Sequence, residues 1–153
     1  FYRKAYDRDP SPYLLQQGAL YLAHRRRFRE AFGMIDEALV SSDQRIISIR
    51  NSHAIILFKA NIDQPETDGT VEQTLNRSME ILTECYRYDK RKAYHVAVFA
   101  DQALRFEERF GIDLAQKYLE TAAIWLDEEI KRSPWNREIR RLQPLIRRRL
   151  GLQ

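Results

Sequence analysis

The chain has 153 residues, of which 44% are apolar and 31% are charged, a length typical of a single domain with a sizeable core. Five glycines and five prolines are too few turn-forming residues for an all-β fold. The single cysteine, Cys85, cannot form an internal disulfide and gives no sign of an oxidising compartment. The longest apolar stretches, 54–58 and 96–100, are far shorter than a membrane span. We therefore expect an all-α cytoplasmic protein with no membrane partner.

The net charge of +4 arises near the end of the sequence. Eight basic residues and one acid, Glu138, lie between Lys131 and Arg149, whereas the rest of the chain is slightly acidic. This basic segment is the one charge feature of the sequence that indicates a polyanionic partner such as nucleic acid.

Apolar residues recur at helical spacing along almost the whole chain, which predicts seven helices joined by short connections. The longest predicted loop is 61–70, which is rich in Pro, Asp, Gly and Thr. Gly111 ends the fifth helix, Ser133-Pro134 opens the last one, and Pro144 is expected to kink or split it. The predicted helices span about 13–25, 28–41, 44–60, 70–88, 91–110, 113–132 and 133 onwards.

Three of these helices share a pattern of small residues. The segments FREAFGMIDEAL (28–39), LNRSMEILTECY (75–86) and IDLAQKYLETAA (112–123) each have two small residues seven positions apart, with a larger apolar residue between them. Where two helices cross closely, a side chain larger than alanine or serine would hold the backbones apart. The aligned residues are Ala31, Ser78 and Ala115; Ile35, Leu82 and Leu119; Ala38, Cys85 and Ala122; and, in the preceding helices, Ala19, Ala54 and Ala103.

This pattern resembles the tetratricopeptide repeat, a helix-turn-helix unit of about 34 residues with small residues where the paired helices touch. The resemblance implies a single domain over 1–153, folded as a right-handed α-solenoid of about three helix pairs with a C-terminal capping helix. Residues 1–10 match the end of a preceding repeat, so we expect the chain to be part of a longer protein. The implied repeats are 11–43, 44–89 with the inserted loop 61–70, and 90–132, followed by the basic capping helix 133–153.

A second resemblance concerns SIRNSHAIILF (48–58) and the irregular insert that follows it. These residues are similar to the helical arrays at the C-terminal end of large bacterial signalling or antiphage-defence proteins, such as the STAND-type NTPases. The resemblance implies that the chain is a sensor or regulatory part of such a protein. Any catalytic domain would then lie outside this chain.

A tetratricopeptide-like solenoid presents the first helix of each unit along a concave groove. The resemblance implies that this groove binds a protein, a peptide or other domains of the parent protein. Family members that grip a peptide carboxylate use Lys, Asn and Arg, and in this sequence only Asn51 is similar to that set. The acids Asp101, Glu107 and Glu108 would repel a carboxylate, so a mixed or basic ligand is expected. The residues expected to line the groove are Tyr13, Gln16, Leu20, Ala23, His24, Ser48, Asn51, Ser52, Ile55, Lys59, Ala100, Asp101, Leu104, Glu107 and Glu108.

The basic segment offers an alternative function, the binding of nucleic acid or another polyanion. Its apolar residues fall on one helix face, which predicts that the helix docks on the last repeat as a cap with its arginines outward. If about six arginines met phosphates, the affinity would fall roughly 10³-fold between 50 and 200 mM salt; a solvated capping face is the other interpretation. The apolar face consists of Trp135, Ile139, Leu142, Ile146 and Leu150, and the outward residues are Arg137, Arg140, Arg141, Arg147, Arg148 and Arg149.

The sequence contains no recognisable catalytic or metal-binding pattern. His24, His53 and His95 lie on three different predicted helices, with no carboxylate or cysteine at ligand spacing nearby. Cys85 occupies a small-residue position, which indicates packing rather than nucleophilic catalysis. We therefore expect no enzyme activity, no metal and no cofactor. An open solenoid leaves apolar ends, so a homo-oligomer is also compatible with this sequence.

Overall fold

The computed structural model describes residues 2–8, 11–42, 46–88 and 93–152. These residues form eight α-helices and no β-strand, which confirms the predicted all-α class. The helices are α1 (Tyr2–Arg8), α2 (Pro12–His24), α3 (Phe28–Ser41), α4 (Ile47–Asn61), α5 (Thr70–Tyr88), α6 (Ala93–Phe110), α7 (Ile112–Arg132) and α8 (Arg137–Arg149).

Most helix ends agree with the sequence analysis. The helices α3 and α5 have the predicted bounds, whereas the predicted helix starts at 44 and 91 lie outside the described residues. Gly111 ends α6 as predicted, because its φ of 92° is a conformation that glycine adopts without a steric penalty. Local helix-breaking residues, polar ones and glycine, are thus sufficient to determine these helix ends.

The last helix begins four residues later than predicted. Ser133 closes α7, since its N–H donates to the carbonyl oxygen of Glu129 at 2.8 Å. Asn136 then caps α8, because its Oδ1 accepts a hydrogen bond from the N–H of Ile139 at 3.1 Å. Pro144 does not split α8, which continues through it. Pro144 lies on the exposed side of the helix, where the carbonyl group that loses its partner is open to water.

The chain divides into two compact units, Phe1–Tyr88 and Asp89–Gln153. We call these unit 1, which contains α1 to α5, and unit 2, which contains α6 to α8.

In unit 1, α2 packs on α3, α4 packs on α5, and α3 and α2 both contact α4. The α4–α5 pair meets through small residues. The hydroxyl of Ser78 donates to the carbonyl oxygen of Ala54 at 2.6 Å, and Sγ of Cys85 lies 3.7 Å from the carbonyl oxygen of Ile47. Both side chains of α5 thus touch the backbone of α4, and the order of the contacts makes the two helices antiparallel. A larger side chain at either position would separate them.

The small residues aligned by the sequence pattern are all in the protein interior. None of the nine is more than 3% exposed, which confirms their predicted burial. The larger apolar residues between them are also buried and fill the grooves beside each crossing. The small residues are Ala19, Ala31, Ala38, Ala54, Ser78, Cys85, Ala103, Ala115 and Ala122.

In unit 2, α6 and α7 enclose a cluster of aromatic side chains. The ring of Phe106 on α6 lies 4.8 Å from that of Phe110 and 5.2 Å from that of Tyr118 on α7, measured between ring centroids. Phe99 lies 4.6 Å from Trp125. These tilted and edge-to-face arrangements are the favoured ones for aromatic pairs, so the cluster stabilises the α6–α7 contact.

The helix α8 packs on both α6 and α7, as α4 packs on α2 and α3 in unit 1. Its side chains at Ile139, Leu142 and Ile146 are fully buried, which confirms most of the predicted apolar face. Trp135 was included in that face wrongly, since it is 75% exposed. It lies in the turn before α8 and not on the helix, so the helical spacing does not apply to it.

His53 on α4 is half-buried, and its ring lies edge-on to that of Phe32 on α3 at 6.3 Å. Burial lowers the pKa of His53 below its usual value, with a counteracting effect of Asp36 and a further lowering by Arg77. Because the unfolded chain then binds a proton more readily, the stability contributed by neutral His53 is complete above about pH 6.5 and declines as the pH falls through the folded-state pKa.

We therefore expect the free energy of unfolding to depend less on pH in His53→Gln than in the wild type. Urea unfolding of the wild type and the variant at pH 5 and pH 7.5 measures this, and the wild type should lose more free energy of unfolding between the two pH values. The matched control is His24→Gln, because the His24 side chain is exposed. The prediction would be contradicted if the wild type and His53→Gln lost the same free energy of unfolding between pH 7.5 and pH 5.

None of the described helices combines the length and apolar composition that crossing a bilayer requires. Within the same part of the chain, no three His, Cys, Asp or Glu side chains are grouped so that they could hold a metal ion.

Candidate functional site

Half of the ten residues predicted to line the groove in unit 1 are buried. The side-chain amide of Gln16 on α2 donates to the carbonyl oxygen of Ser48 at 3.0 Å and to Oγ of Ser52 at 2.8 Å, both on α4. Gln16 and Ser52 are at most 5% exposed, so they hold α2 against α4. Of the other predicted residues, Ala23, Asn51 and Ile55 are buried, Leu20 is half-buried, and Tyr13, His24, Ser48 and Lys59 are exposed.

Two of the three predicted groove acids of unit 2 lie beside basic residues. Asp101 forms an ion pair with Arg105, one turn along α6, at 3.2 Å. Oε1 of Glu107 accepts a hydrogen bond from Arg149 of α8 at 3.4 Å. The negative charge that the sequence predicts on this face is therefore partly neutralised within the unit. Of these residues, Ala100 is buried, Asp101, Leu104 and Glu107 are half-buried, and Glu108 is exposed.

Three of the six arginines of α8 form ion pairs. Arg147 lies 3.3 Å from Asp127 of α7, and Arg149 reaches Glu107 of α6, so these two side chains have acidic partners within the unit while 31% and 49% of their side-chain surfaces remain exposed. These pairs form because α8 lies against both helices, which brings their acids within reach. Arg141 donates to Glu138 at 2.9 Å, and this bond lowers the pKa of the Glu138 carboxyl. Among the described residues, no acid pairs with Arg137, Arg140 or Arg148.

The structure contains a cavity that the sequence analysis did not identify. It has a volume of about 850 Å³ and opens between α1, α2 and α3 in unit 1; we call it the α1–α3 cavity. The face of α2 that lines the cavity is different from the face that carries Gln16 and packs on α4. The lining residues are Tyr2, Arg3, Gly18, Tyr21, Leu22, Arg27, Glu30, Gly33 and Met34.

Two glycines shape the cavity. A Cβ atom at Gly18 would lie 2.8 Å from Cβ of Tyr2 and 2.5 Å from Cε of Met34, so the missing side chain allows α1 to approach α2. A Cβ atom at Gly33 would meet nothing within 4 Å, so on α3 the missing side chain leaves open space. The first glycine closes one wall and the second keeps the cavity accessible.

Charged pairs border the α1–α3 cavity. Arg3 donates two hydrogen bonds to the Glu37 carboxylate, at 3.2 and 2.8 Å, and these bonds lower the pKa of Glu37. Arg27 donates two to the Glu30 carboxylate, at 2.8 and 2.7 Å. Arg25 instead places its guanidinium over the ring of Tyr21, 5.8 Å from the centroid. The border is thus polar and the walls are aromatic and aliphatic.

Cys85 lies apart from this cavity, between α5 and α4. Burial raises the pKa of its thiol, which favours the protonated form over the nucleophilic thiolate. Its contact with the backbone of α4 and its 3% exposure agree with the packing role expected from the sequence.

Sequence signals of the cavity are weak but present. Gly18 and Gly33 lie within the helices α2 and α3, where glycine is unfavourable without a structural reason. The run Arg25-Arg26-Arg27 between the same helices is a second basic cluster, which the charge pattern discussed above does not include. No family model, curated protein or solved structure matches the chain. Its function must therefore be inferred from its own residues.

Proposed function

We propose that this chain is a non-catalytic recognition module that binds a protein segment in the α1–α3 cavity. The observation that carries the proposal is the cavity itself. Its volume of about 850 Å³ lies within the range of roughly 300–1,000 Å³ found for ligand pockets. Apolar walls at Tyr2, Leu22 and Met34 with a few polar groups at the border are the composition that such pockets have.

The repeat pattern supports the same function. Helix pairs that meet through small residues, as at Ser78 and Ala54, are what the tetratricopeptide resemblance requires, and such scaffolds serve recognition. We therefore also propose the solenoid arrangement, to which the packing of α8 on α6 and α7 lends support. A place in a bacterial signalling or antiphage-defence protein rests on the sequence resemblance alone and stays a prediction.

The test uses two variants of Gly33, because a side chain there would enter open space. Gly33→Trp should fill the cavity, whereas Gly33→Ala should leave it open and stabilise α3 by about 0.5–1 kcal/mol. A phage-displayed library of random 12-residue peptides is selected on the wild-type chain. The selected peptides are then titrated against both variants by fluorescence anisotropy, with thermal unfolding as the folding control.

Peptides that bind the wild type and Gly33→Ala but lose at least tenfold in affinity for Gly33→Trp would support the proposal. If every selected peptide binds Gly33→Trp as well as the wild type, or if the library yields no binder, the cavity is not a recognition site and the proposal is wrong.

Polyanion binding by α8 is the second candidate. The observation in its favour is that the guanidinium groups of Arg137, Arg140 and Arg148 pair with no acid in the part of the chain that the structure describes. Three phosphate contacts in place of six reduce the expected salt effect on single-stranded nucleic acid to roughly 20-fold between 50 and 200 mM salt. Since half of the arginines have acidic partners within unit 2, this candidate has less support than the cavity.

A further inference from the structure

A basic cluster borders the α1–α3 cavity where the chain passes from α2 to α3. Four of the residues 25–29 are arginines, and all four are exposed. Unit 1 as a whole is balanced, with twelve basic and twelve acidic residues over 1–88, so a third of its positive charge lies within five positions. The electrostatic potential at this end of the cavity therefore favours an anionic group.

The backbone of the turn between α2 and α3 has a conformation that is unfavourable for arginine. Arg26 has a φ of 60°, a left-handed conformation that glycine adopts freely and arginine does not. The N–H of Arg27 donates to the carbonyl of Leu22 at 2.8 Å and that of Arg26 to Ala23 at 3.0 Å, the pair of bonds that ends a helix when glycine follows it.

The four arginines differ in what they already bind. Arg27 binds the Glu30 carboxylate through its Nε and Nη2 groups, and Arg26 lies 3.8 Å from Asp63 in an exposed pair. Neither Arg25 nor Arg29 has an acid within ion-pair distance among the described residues. Of the two, Arg25 lies over the ring of Tyr21, which lines the cavity, so its guanidinium is the one placed to bind a ligand there.

We infer that the partner is an acidic peptide segment, which inserts an apolar side chain into the α1–α3 cavity and places a carboxylate on Arg25. This inference rests on the proposed function and names its ligand class. The planar guanidinium fits a carboxylate through two parallel hydrogen bonds. The apolar side chain has Tyr2, Leu22 and Met34 to pack against.

The same charges disfavour nucleic acid at this site. Glu30 and Glu37 stand at the border, and several phosphates passing it would meet these carboxylates. The ring of Tyr21 is covered by Arg25, which competes with a base for stacking. A single carboxylate beside an apolar side chain avoids both difficulties.

The test examines the composition of the peptides that depend on the cavity, defined as those that lose affinity for Gly33→Trp and not for Gly33→Ala. We expect them to be enriched in Asp or Glu next to an apolar residue, relative to the unselected library. A representative peptide should lose about tenfold in affinity for Arg25→Ala, and also when its acids are changed to the amides. The matched control is Arg87→Ala, which removes an exposed arginine at the end of α5.

Two results would overturn the inference. Cavity-dependent peptides that lack acids, or that bind Arg25→Ala as tightly as the wild type, would leave the proposed function standing and remove the acidic ligand. A labelled 20-nucleotide single strand whose binding is abolished by both Gly33→Trp and Arg25→Ala would make nucleic acid the occupant. Without any cavity-dependent peptide, the proposed function and this inference both fail.

Discussion

Replacing Ser78 with leucine is expected to lower the free energy of unfolding by about 1–3 kcal/mol. The side chain of Ser78 is fully buried, and its hydroxyl oxygen lies 2.6 Å from the carbonyl oxygen of Ala54. Three additional carbon atoms cannot enter this contact unless α4 and α5 move apart. Urea unfolding followed by far-ultraviolet circular dichroism measures the change.

The matched control is Gln73→Leu, which places the same side chain on an exposed position of α5. Leucine is a good helix former, so the control should unfold within about 0.5 kcal/mol of the wild type. A Ser78→Leu variant as stable as this control would show that the α4–α5 contact has room for a large residue.

Replacing Phe106 with alanine is expected to have the largest effect, a loss of about 3–5 kcal/mol in the free energy of unfolding. The ring is fully buried and contacts the rings of Phe110 and Tyr118. Its removal takes away apolar burial and leaves a cavity between α6 and α7 that the remaining rings fill only in part. The fluorescence of Trp125, which lies in the same cluster, provides a local measurement.

The control for this substitution is Tyr94→Ala on the same helix, because the Tyr94 side chain is 57% exposed. It should cost less than about 1 kcal/mol. Similar losses in the two variants would mean that the α6–α7 cluster is not the core of unit 2.

The sequence was sufficient to predict the helices and much of the core. Periodic apolar residues and local breakers determine the ends of α3 and α5, since these signals act within one or two turns. The burial of Ala31, Ser78 and Ala115 could be predicted because a small residue amid large ones has a steric meaning that does not depend on the rest of the fold.

Features that depend on tertiary contacts were predicted less well. Ser133 and Pro134 have the composition of a helix start, yet they follow the end of α7, and Asn136 caps α8 instead. The side chains of Arg147 and Arg149 point toward acids of α7 and α6 that are distant in the sequence. Charge alone indicates a solvated arginine face, whereas the packing of α8 determines which arginines have acidic partners.

The α1–α3 cavity illustrates the same limit at the candidate site. It forms where α1 approaches α2 over Gly18 and where Gly33 leaves α3 without a side chain, so it depends on three helices at once. Conversely, Gln16 and Ser52 are polar residues, each on the first helix of a predicted repeat. Their side chains are therefore expected to be exposed in the groove. Their mutual hydrogen bond allows them to be buried, and no sequence spacing specifies that bond.

The most direct test of the central claim compares leucine substitutions at the three equivalent small-residue positions, Ala31, Ser78 and Ala115. If each pair of helices meets through these residues, all three variants should lose about 1–3 kcal/mol in the free energy of unfolding, while Gln116→Leu, at an exposed neighbour of Ala115, should lose almost nothing. Tolerance of leucine at any one of the three positions, with stability equal to that of Gln116→Leu, would contradict the account of paired helices in close contact.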